Sequence, residues 1–220
     1  MSNSSSRPIL YSFRRCPYAM RARMALLAAN IDVELREILL RDKPAAMLEA
    51  SPKGTVPVLI PTQGAVIDES LEIMVWALAE QDPQGWLTPE SGTLEDMLLL
   101  ISQIDGPFKY HLDRYKYHTR YDDADPAFHR AEAGKFLNRL DGRLAVGAYL
   151  FGSRPALADF AIAPFIRQFA RADQAAFDAV PFDHLQRWLT DMTTSDFFRR
   201  ALTKYAPWHP GDTPVLLTAA

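Results

Sequence analysis

The sequence predicts an α/β domain followed by an all-helical domain, and three observations lead to this fold class. Short apolar runs alternate with helical patterns over the first third of the chain. Residues 83–92 contain two prolines and two glycines, which is typical of a linker. From Thr93 onward, only helical periodicity is present. We therefore expect one domain at 1–82 and a second at 93–220.

The first domain is predicted to have the order β-α-β-α-β-β-α. Strands are expected at the apolar stretches 8–13, 33–39, 56–60 and 65–67. Helices are expected at 17–29, 43–50 and 68–80, the last with Leu71, Met74, Val75 and Leu78 on its core face. A right-handed crossover makes the first two strands parallel neighbours, and a short polar turn joins the last two as a hairpin.

The second domain is predicted to contain helices only, which pack their apolar faces around one core. They are expected at 93–118, 126–146, 157–172, 181–193 and 196–204. A proline-rich tail, residues 205–214, follows them.

Composition excludes several classes of protein. The chain has 220 residues, of which 48% are hydrophobic and 23% charged, and a net charge of −3. This balance is typical of a globular protein and does not favour nucleic acid as a partner. The apolar runs are too short to cross a membrane. A single cysteine excludes an internal disulfide, so we expect a reducing, cytoplasmic location.

Cys16 is the first candidate functional residue. Pro17 suits the first position of a helix, so Cys16 falls at the helix N-terminus after a predicted strand. Unpaired backbone N–H groups and the positive end of the helix dipole favour a thiolate there, and Arg14 and Arg15 add positive charge. The thiolate is the nucleophilic form of cysteine. A small buried apolar residue is the alternative interpretation.

Two further stretches suggest a groove for a small peptide. Pro57 interrupts an apolar strand, which is tolerated where the backbone turns outward, for example at a cis bond. The Val56 backbone could then pair with an extended ligand, although an edge strand that tolerates proline is an equal alternative. At a second helix start, Ser70 could hold a carboxylate and Glu69 an ammonium. An ordinary acidic first turn is the alternative there.

These motifs together resemble the glutathione transferase superfamily. In chain order they are Cys16-Pro17-Tyr18-Ala19, Lys43-Pro44, Gly54-Thr55-Val56-Pro57-Val58-Leu59 and Glu69-Ser70. Their order is most similar to the cysteine-type, omega-like branch, with the glutaredoxins as more distant relatives. The resemblance covers nearly the whole chain. It implies a thioredoxin-like N-terminal domain, a helical-bundle C-terminal domain and a homodimer.

The resemblance also implies that glutathione is the co-substrate. Glu69 and Ser70 would hold its γ-glutamyl end. The Val56 backbone, beside Pro57, would pair with its cysteinyl unit. Lys43 would meet its glycine carboxylate, and Lys53 is a weaker candidate for that role.

The expected activity is that of a thiol transferase or reductase. Cys16 would be catalytic and would form a mixed disulfide with glutathione, and the absence of a second cysteine points to monothiol chemistry. The second substrate would be a small molecule or a thiol. Two alternatives stay open: conjugation of glutathione to an apolar electrophile, and a redox sensor or ligand-binding protein without turnover. Tyr11 lies near the position where tyrosine-type members have their catalytic hydroxyl, so the group that activates the thiol also stays open.

Three other features complete the interpretation. Residues 109–121 interleave basic side chains with tyrosines. This pattern favours a solvated helix end over a nucleic-acid surface. The tyrosines could also line an apolar pocket for a second substrate. The five histidines show no metal-ligand spacing, so no metal is expected. Gly152 and Asp159 resemble the superfamily's buried capping box, which implies a folding role for Asp159, with Ala156 where Ser or Thr is usual.

Overall fold

The structure, a computed structural model, describes residues 7–218. The chain divides into two compact units. One comprises the chain up to Gln84 together with the segment from Asp196 onward, and the other is Gly85–Ser195. The predicted fold class, a mixed sheet with helices followed by a helical domain, is confirmed. The C-terminal segment, which we expected to extend the helical domain, groups with the first unit instead.

The first unit is built on a four-stranded sheet in the order β3-β1-β2-β4. Its strands are β1 (Ile9–Ser12), β2 (Val33–Glu37), β3 (Val58–Ile60) and β4 (Leu216–Leu217). As predicted, β1 and β2 are parallel, whereas β3 runs antiparallel to β1 and β4 antiparallel to β2. Leu10 stands opposite both Leu35 and Leu59, and all three side chains are buried. The sheet therefore contributes its central leucines to the core.

The predicted strand at 65–67 is wrong. Ile67 makes only an isolated bridge to Leu59, with N–H···O distances of 2.8 and 2.9 Å. Residues 62–66 are exposed, so little apolar burial would stabilise a longer ladder there. The fourth strand is β4, from the far end of the chain.

The helices follow the predicted order with local differences. They are α1 (Pro17–Ala28), α2 (Ala45–Ala50), α3 (Ser70–Glu80), α4 (Leu94–Gln103), α5 (Lys109–Lys116), α6 (Pro126–Leu144), α7 (Leu157–Ala170), α8 (Gln174–Asp178), α9 (Asp183–Thr194) and α10 (Asp196–Ala201). The predicted helix at 93–118 is interrupted by a π-helical turn at Ile104–Phe108. Pro107 lies in this turn, and because it has no N–H it cannot maintain the regular α-helical ladder.

Helix α1 is buried along nearly its whole length, since it packs against α3 and α10. The helix ends at Ala28 with Ala29 as C-cap, and the next residue, Asn30, has a φ of 53°, in the left-handed region that asparagine tolerates. The core face of α3 differs from the prediction. Ile73 and Ala77 are buried, whereas Leu71 and Val75 are only half-buried.

Asp159 is the polar centre of the second unit's core. Its Oδ1 accepts hydrogen bonds from the Leu150 N–H at 2.9 Å and from Trp188 Nε1 at 2.7 Å, and its Oδ2 accepts from the Ala156 N–H at 2.9 Å. Burial raises the pKa of this carboxyl to about 6, even though the three donors favour its charged form. These bonds connect the start of α7 to the preceding loop and to α9. They agree with the expected folding role.

The C-terminal segment returns to the sheet of the first unit. The Trp208 N–H donates to the Glu37 carbonyl at 2.8 Å, and the Trp208 ring meets Tyr11 edge-on at 6.0 Å. The Arg36 guanidinium lies 4.3 Å from the centre of the Trp208 ring. With β4 paired to β2, these contacts explain why the segment belongs to the first unit.

Candidate functional site

Cys16 stands at the junction of sheet and helix, as predicted. After β1 the chain makes a turn in which the Cys16 N–H donates to the Phe13 carbonyl at 2.9 Å. Cys16 is the N-cap residue of α1, with Pro17 at the first helical position. Its side chain is half-buried. The sulfur is therefore placed beside the N-terminal backbone of α1.

The sulfur of Cys16 lies 3.7 Å from the carbonyl oxygen of Val56, within range of a weak hydrogen bond donated by the thiol. The Val56–Pro57 peptide bond is cis. Strand β3 begins only at Val58, later than predicted, so Val56 and Pro57 precede the ladder. Strand β3 is also an edge strand of the sheet, where proline is tolerated. The cis bond and the edge position, which were alternative explanations of the proline, therefore occur together. The structure thus brings together Cys16 and the backbone segment predicted to bind a peptide.

Glu69 and Ser70 begin α3, with Glu69 as N-cap. The Glu69 carboxylate is paired with the ammonium of Lys53, which also lies 3.5 Å from the Asp68 carbonyl. The Glu69 side chain is 60% exposed and that of Lys53 is 42% exposed. Lys53 thus contacts the residue predicted to bind the γ-glutamyl ammonium.

Ser70 is buried, and its hydroxyl accepts a hydrogen bond from Arg21 Nε at 3.0 Å. Arg21 is itself buried and lies on α1. The sequence analysis did not identify this residue. The signal that could have indicated a buried polar partner is the presence of two arginines, Arg21 and Arg23, within a largely apolar helix.

Lys43 is exposed and precedes α2. Its ammonium would lie 3.6 Å from a Cβ atom built on Gly54, so it adjoins the loop that leads to Val56. Gly54 has a φ of +64°, a conformation that favours glycine. Lys43 and Trp208 also line a cavity of about 250 Å³.

Tyr11 belongs to the core cluster against which Cys16 packs. It is fully buried, and its hydroxyl accepts a hydrogen bond from the Arg36 guanidinium at 2.7 Å. Arg36, on strand β2, is therefore the structural partner of the Tyr11 hydroxyl. Cys16 remains the candidate nucleophile predicted from the sequence.

The basic and aromatic side chains of 109–121 contact one another. The Arg114 guanidinium lies 3.7 Å from the centre of the Tyr110 ring and 4.5 Å from that of Tyr121. Arg120 lies 4.5 Å from the Tyr117 ring centre. These distances are those of cation–π contacts between the arginines and the tyrosine rings.

Within residues 7–218, no group of three or more histidine, cysteine, aspartate or glutamate side chains is arranged to hold a metal ion. None of the helices in the same range is long and apolar enough to span a membrane.

Comparison with known proteins identifies the family. Residues 10–86 match the glutathione S-transferase N-terminal domain, and residues 103–191 match the glutathione S-transferase C-terminal domain. The chain is 28% identical to glutathione S-transferase omega-1 of Mus musculus over 159 residues, which are 72% of this chain and 65% of that protein. It is 43% identical to the Rattus norvegicus omega-1 protein over 81 residues, 37% of this chain and 33% of the relative. The aligned regions thus span less than two thirds of both relatives.

A solved structure shows the same fold. It is the crystal structure of a glutathione transferase family member from Pseudomonas fluorescens with two glutathione bound. The two chains superpose with a TM-score of 0.77 at 20% identity, over 91% of this chain and 94% of the other. The two domain matches, the omega-class relatives and the shared fold confirm the resemblance inferred from the four sequence motifs. The chain belongs to the glutathione S-transferase family.

Proposed function

We propose that this protein is a glutathione-dependent thiol transferase that works through a mixed disulfide between Cys16 and glutathione. The observation that supports this most directly is the position of the Cys16 sulfur. It stands at the N-terminus of α1 and 3.7 Å from the Val56 carbonyl. A nucleophilic sulfur beside a peptide-binding backbone suits a substrate whose reacting atom is the sulfur of a small peptide.

Glutathione would extend along this backbone. The Val56 backbone, beside Pro57, would pair with the cysteinyl unit of the ligand, which directs the ligand sulfur toward Cys16. Glu69 and Ser70, at the start of α3, would hold the ammonium and the carboxylate of the γ-glutamyl end. Lys43 would meet the glycine carboxylate. Its ammonium adjoins the Gly54 loop that leads to Val56, which supports this assignment.

The proposed reaction has two exchanges. The Cys16 thiolate attacks the glutathione sulfur of a glutathionylated substrate, which forms the mixed disulfide and releases the substrate as a thiolate that takes up a proton. A second glutathione, as its thiolate, attacks the glutathione sulfur of the mixed disulfide. This step releases glutathione disulfide and regenerates the Cys16 thiolate. Overall, one free glutathione is consumed for each glutathionylated substrate reduced, and the substrate itself supplies the other half of the glutathione disulfide.

Ligand binding would also affect the ionisation of Cys16. Only the protonated thiol can donate to the Val56 carbonyl. A ligand amide that takes over this carbonyl removes a contact that favours the thiol. The backbone N–H groups at the start of α1 then stabilise the thiolate.

A Cys16→Ser variant tests the proposal. Reduction of a glutathionylated peptide should be lost, because serine cannot form the mixed disulfide. In the wild type, intact mass after treatment with glutathione disulfide should show one added glutathione at Cys16, the single cysteine. Full reductase activity in the serine variant would contradict the mechanism.

The same variant separates the alternatives. Conjugation of glutathione to an apolar electrophile depends on the thiolate of glutathione itself, so it would persist or rise in Cys16→Ser. A redox sensor would show stoichiometric glutathionylation without multiple turnovers. We also propose that the protein is a homodimer and that it is cytoplasmic. Sedimentation of the full chain measures its oligomeric state.

A further inference from the structure

Glu37, the last residue of β2, connects this strand to the turn that holds Cys16. Its Oε1 accepts a hydrogen bond from the backbone N–H of Arg14 at 2.7 Å. Arg14 lies two residues before Cys16, inside the turn that the Cys16 N–H closes onto Phe13. The Glu37 carboxylate therefore holds the turn from a neighbouring strand.

Arg23 fixes the other side of this carboxylate. The Arg23 guanidinium is fully buried and pairs with Oε2 of Glu37. It also donates to the Ser12 hydroxyl at 2.8 Å and to the Ala201 carbonyl at 3.2 Å. Arg23 belongs to α1, the helix that begins directly after Cys16. The Arg23–Glu37 pair thus links the turn before the cysteine to the helix after it.

Stability alone gives a weak reason for this pair. Removing two charges from water is costly, and apolar residues of similar volume are often equally stable in place of a buried ion pair. Apolar residues, however, would provide no acceptor for the Arg14 N–H. The position of the turn therefore depends on Glu37 itself.

We propose that Glu37 is a positioning residue, whose carboxylate holds the Arg14 amide so that the Cys16 thiol stays at the N-terminus of α1. The inference rests on the proposed function only in taking Cys16 as the reactive group. Loss of the acceptor should move the sulfur away from the helix N–H groups and reduce its reactivity.

Charge and position predict opposite effects. Removing a negative charge near a thiol favours the thiolate and should make Cys16 more reactive. Losing the acceptor for the Arg14 N–H should make it less reactive. A test must therefore change the acceptor while the charge stays constant.

Two double variants meet this condition. Both contain Arg23→Met, which removes the cation, and they differ only at position 37: Glu37→Gln retains an oxygen that can accept from Arg14, whereas Glu37→Met does not. The readout is the rate of alkylation of Cys16 by iodoacetamide as a function of pH. Because Cys16 is the only cysteine, the rate reports a single site and needs no glutathione.

We expect the Gln variant to react within about twofold of the wild type and the Met variant to react roughly tenfold more slowly at neutral pH. The rate profile of the Met variant should also move to higher pH, while the thermal midpoints of the two variants agree. Equal alkylation rates in the two variants, fast or slow, would overturn the proposal.

A measurement on the wild type covers the case in which a double variant does not fold. The Arg14 amide should exchange with solvent deuterium much more slowly than an unprotected loop amide. Exchange at the unprotected rate would overturn the proposal. Failure of the proposed function is a separate outcome: turnover with glutathione would be absent while the difference between the Gln and Met variants persisted.

Discussion

Glu69 provides the most direct test of the proposed ligand orientation. In the structure its carboxylate is paired with Lys53 at the start of α3, and 60% of the side chain is exposed. The proposal assigns this carboxylate to the ammonium of glutathione. Glu69→Gln retains the size of the side chain and removes its charge, so it isolates the electrostatic part of binding.

The expected magnitude follows from the exposure. A hydrogen bond to a charged group contributes about 1.5–3 kcal/mol, and an exposed site reduces this toward the lower limit. We therefore expect Glu69→Gln to weaken binding by about 1.4 kcal/mol, roughly tenfold in Kd. The pair with Lys53 is solvent-exposed, so the free energy of unfolding should change by less than about 1 kcal/mol.

Lys53→Met is the matched control. It removes the same ion pair but retains the carboxylate, and it removes a cation that competes with the ligand ammonium. Because the proposal assigns the glycine carboxylate to Lys43 and not to Lys53, binding should be unchanged or tighter in this variant. Isothermal titration calorimetry with S-methylglutathione measures both variants without thiol chemistry. If Glu69→Gln bound the analogue as tightly as the wild type, the orientation of glutathione proposed here would be refuted.

Three further predictions concern stability. Arg23→Met should lower the free energy of unfolding, measured by urea denaturation, by about 3–5 kcal/mol, because it leaves the Glu37 carboxylate buried without its cation. A decrease of less than about 1 kcal/mol would contradict this. Asp159→Ala should lower the free energy of unfolding by at least about 3 kcal/mol, because three buried donors lose their acceptor. An unchanged thermal midpoint in scanning calorimetry would disprove it. Burial and the neighbouring His129 lower the pKa of His111 from 6.5, so its stabilising contribution is present above that value and is lost as the pH falls below it. Between neutral and mildly acid pH, the thermal midpoint of the wild type should therefore fall relative to that of His111→Phe, and parallel curves would contradict this.

Local patterns predicted much of the first unit. The position of Cys16 follows from an apolar strand, a proline suited to the first helical position and a helical pattern, all within adjacent residues. The start of α3 and the parallel pairing of β1 with β2 follow from equally local rules. These features depend on neighbours in sequence, which is the information that periodicity contains.

The partners of the site residues could not be predicted in this way. Arg21 donates to Ser70, which is 49 positions away, and Lys53 pairs with Glu69 across a loop. No periodic pattern connects such residues, because their contact arises from packing between elements. A strand of two residues, such as β4, is likewise too short to produce a recognisable alternation.

The origin of β4 has a consequence for how the protein folds during synthesis. Gly85–Ser195 is continuous in sequence, so the helical unit has all its residues before the ribosome reaches the final segment. The sheet around the cysteine must wait for Trp208 and β4 to emerge before its last edge is paired. A nascent chain interrupted after α10 would expose that edge of β2, where unpaired backbone groups favour aggregation.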